Sequence, residues 1–108
     1  MRLETIDDLT AHLETLFAQI GLTPEQVSPI GGHGLMFLVP GKVKPVLEGL
    51  KPHTNPDCWD GEPSFWGYRN EDENFLLTLK SAPRSVLCMA TVMSLHKRYL
   101  EQFDRDPA

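Results

Sequence analysis

The stretch Pro83-Arg84-Ser85-Val86-Leu87-Cys88-Met89-Ala90-Thr91-Val92-Met93-Ser94-Leu95-His96-Lys97-Arg98-Tyr99-Leu100-Glu101-Gln102-Phe103 decides how this chain is read. At 100° per residue, Val86, Met89, Met93, His96, Leu100 and Phe103 fall on one stripe, with Cys88, Val92, Leu95 and Tyr99 beside it. Together they span about 180° of the helical wheel, wider than the roughly 100° that a surface helix needs. Arg84, Thr91, Ser94, Lys97, Arg98 and Glu101 fill most of the remainder. The spacing therefore predicts one helix, opened by Pro83 and carried to Phe103, either packed on two sides or paired with a partner. The tail from Asp104 to Ala108 is expected to fray.

Immediately before it, Phe65 to Arg69 and Phe75 to Lys80 are β-prone runs separated by Asn70-Glu71-Asp72-Glu73-Asn74. A five-residue polar loop between such runs predicts a hairpin. Phe65, Gly67 and Arg69 should face one way, Trp66 and Tyr68 the other. Gly67 in mid-strand suggests a bulge or a close backbone approach. From His53 to Ser64 the prolines, glycine, Asn55, Asp57 and Asp60 read as loop.

Further upstream, Val43, Val46, Leu47 and Leu50 have helical spacing, with Pro45 at the helix start and Pro52 as its stop. The apolar run Leu35-Met36-Phe37-Leu38-Val39 reads as a strand covered on both faces, fed by the flexible loop Gly31-Gly32-His33-Gly34. Thr23-Pro24-Glu25-Gln26 resembles a helix start, with Thr23 as cap and Pro29 ending it after one turn. Ile6, Leu9, Leu13, Leu16, Phe17 and Ile20 make one apolar stripe, so a helix is expected over 6–20. Thr5 and Asp8 form its capping box and Gly21 its stop.

The order is then helix, short helix, strand, short helix, strand, strand, helix. Without strict βαβ alternation this predicts an α+β fold: a small, mostly antiparallel sheet of about three strands, with the N- and C-terminal helices packed on one face. The 108 residues suit a single domain spanning 1–108.

Composition narrows the function classes. The chain carries 10 Lys plus Arg against 15 Asp plus Glu, a net charge of −5. A direct nucleic-acid binder needs a basic field to neutralise phosphates, so that class is disfavoured. The same charge is modest for a nucleic-acid mimic. The longest clean apolar run is far short of a membrane span, so no membrane association is expected. The first eight residues are acidic and have no apolar h-region, so no secretory signal is expected. Cys58 and Cys88 form no CxxC pair and read as free thiols in a reducing cytoplasm.

Metal, cofactor and catalytic chemistry find little support. His53 and Cys58 are the only close ligand pair; Cys88 and His96 are eight residues apart along the expected helix, about 12 Å, too far to share an ion. His12 has no partner four residues away, and His96 reads as a satisfied core histidine. We expect no metal and no cofactor. His53, Asp57 and Cys58 lie together in one loop where a Cys–His pair could form a thiolate, but no oxyanion donor follows Cys58. Gly31 to Gly34 precedes a strand, whereas phosphate-cradling turns follow one. No catalytic residues are assigned.

The sharper signal is aromatic and acidic interleaving from 57 to 75. Trp59, Phe65, Trp66, Tyr68 and Phe75 lie among six carboxylates. Trp and Tyr are enriched at binding hot spots, and surrounding carboxylates speed encounter with a basic surface. Trp59, Trp66, Tyr68, Glu71, Asp72 and Glu73 are thus the candidate partner-binding residues.

Asn55-Pro56-Asp57-Cys58-Trp59 and Ala82-Pro83-Arg84-Ser85-Val86-Leu87-Cys88-Met89-Ala90 resemble segments of short phage and prophage accessory proteins of the NinX-like family. The resemblance implies a small cytoplasmic host-interaction or accessory role and carries no catalytic residues. The sequence thus points first to a non-catalytic protein-binding module, a regulator or inhibitor that docks on a protein with a basic surface. The alternatives are a homodimer paired through the last helix, and a small enzyme or ligand-binding domain using His53, Asp57 and Cys58.

Overall fold

The computed structural model describes residues 2–104, so the tail expected to fray lies almost wholly outside the described residues. The fold is α+β, but its antiparallel sheet has six strands rather than about three. In chain order the elements are α1 (Ile6–Ala18), β1 (Glu25–Ile30), β2 (Gly34–Pro40), α2 (Val43–Leu50), β3 (Trp59–Glu62), β4 (Phe65–Asn70), β5 (Phe75–Ala82), β6 (Ser85–Val92) and α3 (Met93–Asp104). The strands lie in the order β1-β2-β6-β5-β4-β3. The pairing β2–β6 closes the sheet between two hairpin systems that are distant in sequence.

Helix α1 forms as its stripe and caps dictate. The Thr5 hydroxyl accepts the Asp8 N–H, and the Asp8 carboxylate accepts the Glu4 and Thr5 N–H groups. Those bonds, Glu4's first, hold the Asp8 carboxyl below its usual range. Leu9, Leu13, Leu16 and Phe17 are buried, each burial contributing roughly 1.5–3 kcal/mol relative to exposure. Phe17 meets Phe37 of β2 edge-on at 5.4 Å. Helix α2 buries Val43, Val46, Leu47 and Leu50, the four expected positions.

Three segments depart from the sequence reading. Residues 25–30 are not a helix but an edge strand, with a register shift between Glu25 and Ser28 and Gln26 at φ +52°. Pro29 fits there because an edge strand need not donate from every residue. Residues 59–62, expected as loop, pair with β4. Gly61 permits this: its φ is +156°, and a Cβ would collide with the Phe65 carbonyl oxygen. Finally, the long helix expected from Pro83 is two elements. Residues 85–92 form β6, entered by a Pro83-Arg84 turn with Arg84 at φ +63°, and only 93–104 are helical.

The 65–69 and 75–80 hairpin forms where expected, with strands slightly longer than anticipated. Gly67, however, pairs regularly with Asp60 and Thr78 and marks no bulge.

Alternation then sorts the sheet. Leu35, Phe37 and Val39 of β2, Val86, Cys88, Ala90 and Val92 of β6, Phe75, Leu77 and Leu79 of β5, Tyr68 of β4 and Trp59 of β3 are buried on one face, together with the buried sides of α1 and α2. Of the two terminal helices, α1 packs on that face, whereas α3 sends half-buried Leu95 toward the same core and turns another side to the opposite face. Met93, His96, Lys97 and Leu100 of α3 border a groove with Arg69 and Leu76, which belong to the opposite face.

Candidate functional site

That opposite face carries exposed apolar residues that the core does not explain. Strand register places its residues in rows. Leu38, Leu87, Lys80 and Phe65 form one row across β2, β6, β5 and β4. Met36, Met89, Thr78 and Gly67 form the next. Gly34, Thr91, Leu76 and Arg69 form the third. Met36 is 38% exposed, Met89 42% and Phe65 47%, while Leu38, Leu76 and Leu87 are half-buried. Two methionines, three leucines and a phenylalanine on one open face exceed the scattered single exposures normal for a soluble surface.

The charge on this face is also sorted. Across the four central strands it bears Lys80 and Arg69 and no carboxylate. Asp60 and Glu62 stand at the β3 edge, and Glu25 stands beside Leu38 at the β1 edge. At one end α3 leans beside it, leaving a groove of about 470 Å³ bordered by Arg2, Arg69, Lys97, Leu76, Met93 and Leu100, with Asn74, Ser94 and His96 completing it.

Asn74 fixes α3 in that position. It is buried in a left-handed conformation at φ +60°, which Asn tolerates better than most residues. Its Nδ2 donates to the Leu3 carbonyl at 2.9 Å and to Ser94 Oγ at 2.7 Å. Its Oδ1 accepts the Ser94 N–H at 2.9 Å, and its backbone carbonyl accepts the Met93 N–H at 2.9 Å. On the other flank, the ring of His33 from the β1–β2 turn packs on His96 and Tyr99, with centroids 4.8 and 4.6 Å apart. Among the described residues, Nδ1 of both His33 and His96 is buried without a hydrogen-bond partner, so His96 is not the satisfied core histidine expected. Burial first, and then the neighbouring His96, pulls the His33 pKa below its ordinary 6.5.

The expected contact residues separate. Trp59 is 8% exposed and Tyr68 1%, so both are core rings rather than surface anchors. They face the helices because strand alternation puts them on the covered side. The Trp59 indole donates to Thr54 Oγ1 at 2.8 Å, and the Tyr68 hydroxyl donates to Glu73 Oε1 at 2.7 Å. Burial pushes the Tyr68 pKa up, which keeps that donor protonated. Glu73 is therefore engaged within the fold. Trp66 is half-buried on the same covered side, with the Lys51 ammonium 5.5 Å from its ring. Glu71 and Asp72 sit at the exposed hairpin tip, where Glu71 pairs with Arg69 at 3.2 Å.

The His53, Asp57 and Cys58 loop shows no assembled triad. Among the described residues no hydrogen bond joins His53 to Cys58, and the Asp57 N–H is used by Asn55 Oδ1 to cap a short 3₁₀ turn. No group of three or more His, Cys, Asp or Glu side chains among the described residues is placed to hold a metal. None of the helices, among the described residues, is long and apolar enough to cross a membrane.

The fold and this face define an α+β protein with one face of its sheet left open. No family model matches the chain, and no curated protein or solved structure does so either.

Proposed function

We propose that the protein is a non-catalytic protein-binding module and that it engages its partner through the open face of the sheet. The observation that carries this reading is the exposure of Met36, Met89 and Phe65 together on that face, in the same or adjacent rows as half-buried Leu38, Leu76 and Leu87. Contiguous apolar surface of this kind marks interaction sites. Methionine side chains adapt to irregular partner surfaces. The contact residues differ from the aromatic and acidic set read from the sequence, because Trp59 and Tyr68 are spent in the core.

A photo-crosslinking amino acid at Met89, compared with one at exposed Lys44 on α2, tests the reading in the native host. The expected result is a discrete adduct from position 89 only, abolished by Leu87→Asp. An adduct of twice the chain mass would assign the face to a second copy. Equal labelling from both positions would overturn the reading.

A further inference from the structure

We propose that the groove between α3 and the open face takes an acidic amphipathic segment of the partner, its carboxylates on Arg2, Arg69 and Lys97 and its apolar side on Leu76, Met93 and Leu100. This rests on the reading of the open face as the binding surface and adds the chemistry of the occupant.

Charge complementarity carries the argument. The chain as a whole is anionic, at −5. The residues bordering this groove nevertheless include three cations and, among the described residues, no carboxylate. The cations come from three separate parts of the chain: the N-terminal segment, β4 and α3. Only the tertiary fold brings them together. Lys80 extends the same sign along the open face.

Among the described residues, the one carboxylate paired with a groove cation is exchangeable. Glu71 Oε1 meets Arg69 Nη2 at 3.2 Å, with the two side chains 74% and 65% exposed. Exposed pairs of this kind are weak. An incoming carboxylate can replace Glu71, and arginine can take it through two parallel hydrogen bonds. Arg2 donates to the Glu71 backbone carbonyl at 3.3 Å, which leaves its guanidinium further donors.

The apolar component sets the shape of the ligand. Leu76 rises from the sheet, while Met93 and Leu100 come from α3, with Leu100 48% exposed. A free inorganic anion would use none of these. A segment with carboxylates along one side and leucine-like residues along the other uses both, as amphipathic segments do in apolar grooves with a charged rim. The sign is opposite to that expected from the hairpin tip: the partner's contact segment is acidic, not basic.

The test uses the full-length protein and three labelled amphipathic peptides of one apolar pattern, with glutamate, glutamine or lysine on the polar side. Fluorescence anisotropy should show the glutamate peptide binding more than about tenfold tighter than the glutamine peptide at low salt, the gap closing as salt rises. Arg69→Glu and Lys97→Glu should each abolish that preference. Both residues are exposed, so circular dichroism should show the fold intact. Lys97→Glu should in turn favour the lysine peptide. Equal binding of all three peptides, weakened only by Met89→Asp, would overturn the acidic occupant and leave the open-face reading standing. No binding of any peptide would also overturn it, and crosslinking from position 89 would then decide the open-face reading separately.

Discussion

The Asn74 side-chain amide and Ser94 exchange two hydrogen bonds, Asn74 Oδ1 accepting the Ser94 N–H at 2.9 Å and Asn74 Nδ2 donating to Ser94 Oγ at 2.7 Å. Asn74 thus caps α3 from another element, and its bond to the Leu3 carbonyl ties in the N-terminal segment as well. One side chain at the β4–β5 turn therefore positions Met93 and Lys97 on one wall of the groove and Arg2 on its rim. Removing it strands a buried carbonyl and an uncapped helix start. Asn74→Gly keeps the left-handed backbone and should cost about 2–4 kcal/mol, combining a lost cap with lost buried hydrogen bonds. Asn74→Ala should cost about 1 kcal/mol more, because a Cβ disfavours that conformation. Urea unfolding of both variants checks the order, and equal stability of Asn74→Gly and the parent chain would refute the clamp.

Gly34 and Gly32 lie two residues apart and should respond oppositely. A Cβ at Gly34 would collide with the Ala90 carbonyl oxygen and crowd Thr91 Oγ1, at the point where β2 joins β6. Gly34→Ala must therefore push the two central strands apart and should lower stability by more than about 2 kcal/mol. A Cβ at Gly32 meets nothing within 4 Å. Gly32→Ala should be neutral or stabilising by up to about 1 kcal/mol, through a less flexible unfolded chain. Thermal midpoints of the two variants give the comparison.

The β2–β6 junction also explains what could be read from the sequence. Helices α1 and α2 were legible because each has one apolar stripe and a polar remainder. The β4–β5 hairpin was legible because a polar loop separates two β-prone runs. Residues 85–92 were not. Val86, Cys88, Ala90 and Val92 alternate into the core, but Leu87 and Met89 lie between them on the open face. With apolar residues on both faces the period of two disappears, and Val86, Met89 and Met93 fit a helical stripe by coincidence. The same leucine and methionine that hid the strand make up the candidate binding face. The site was missed for the reason that makes it a site. The alternation of Val86 with Val92 and the turn-forming Pro83 were the available signals. The groove cations could not have been found, since Arg2, Arg69 and Lys97 converge only through tertiary structure.

Strand β6 makes its own prediction about chemistry at Cys88. Burial pushes its thiol pKa up to about 12, and the side chain is fully buried. Thiolate is the reactive form, so native Cys88 should resist a thiol reagent that modifies half-buried Cys58. Timed labelling followed by peptide mass analysis should give one modified cysteine in the native protein and two in denaturant. Rapid native labelling at Cys88 would contradict a strand with this side chain in the core.

Stability should fall on mild acidification, and the His33 cluster sets the sign. His33 is 5% exposed, and its ring packs on those of His96 and Tyr99, neither of them a carboxylate. Its folded pKa lies below the ordinary 6.5, through burial first and repulsion from His96 second. The unfolded chain therefore takes up a proton near 6.5 that the folded chain refuses. This contribution is fully present above 6.5 and is lost as pH falls through the folded value. His12 acts in the same direction, its pKa lowered mainly by burial and partly restored by Glu73. The urea midpoint should thus decline as pH drops below the ordinary histidine value. His33→Phe keeps a ring against Tyr99 but cannot titrate, so its midpoint should decline less over that window. A parent chain whose midpoint holds or rises on acidification would show that His33 takes up its proton without strain and does not anchor α3.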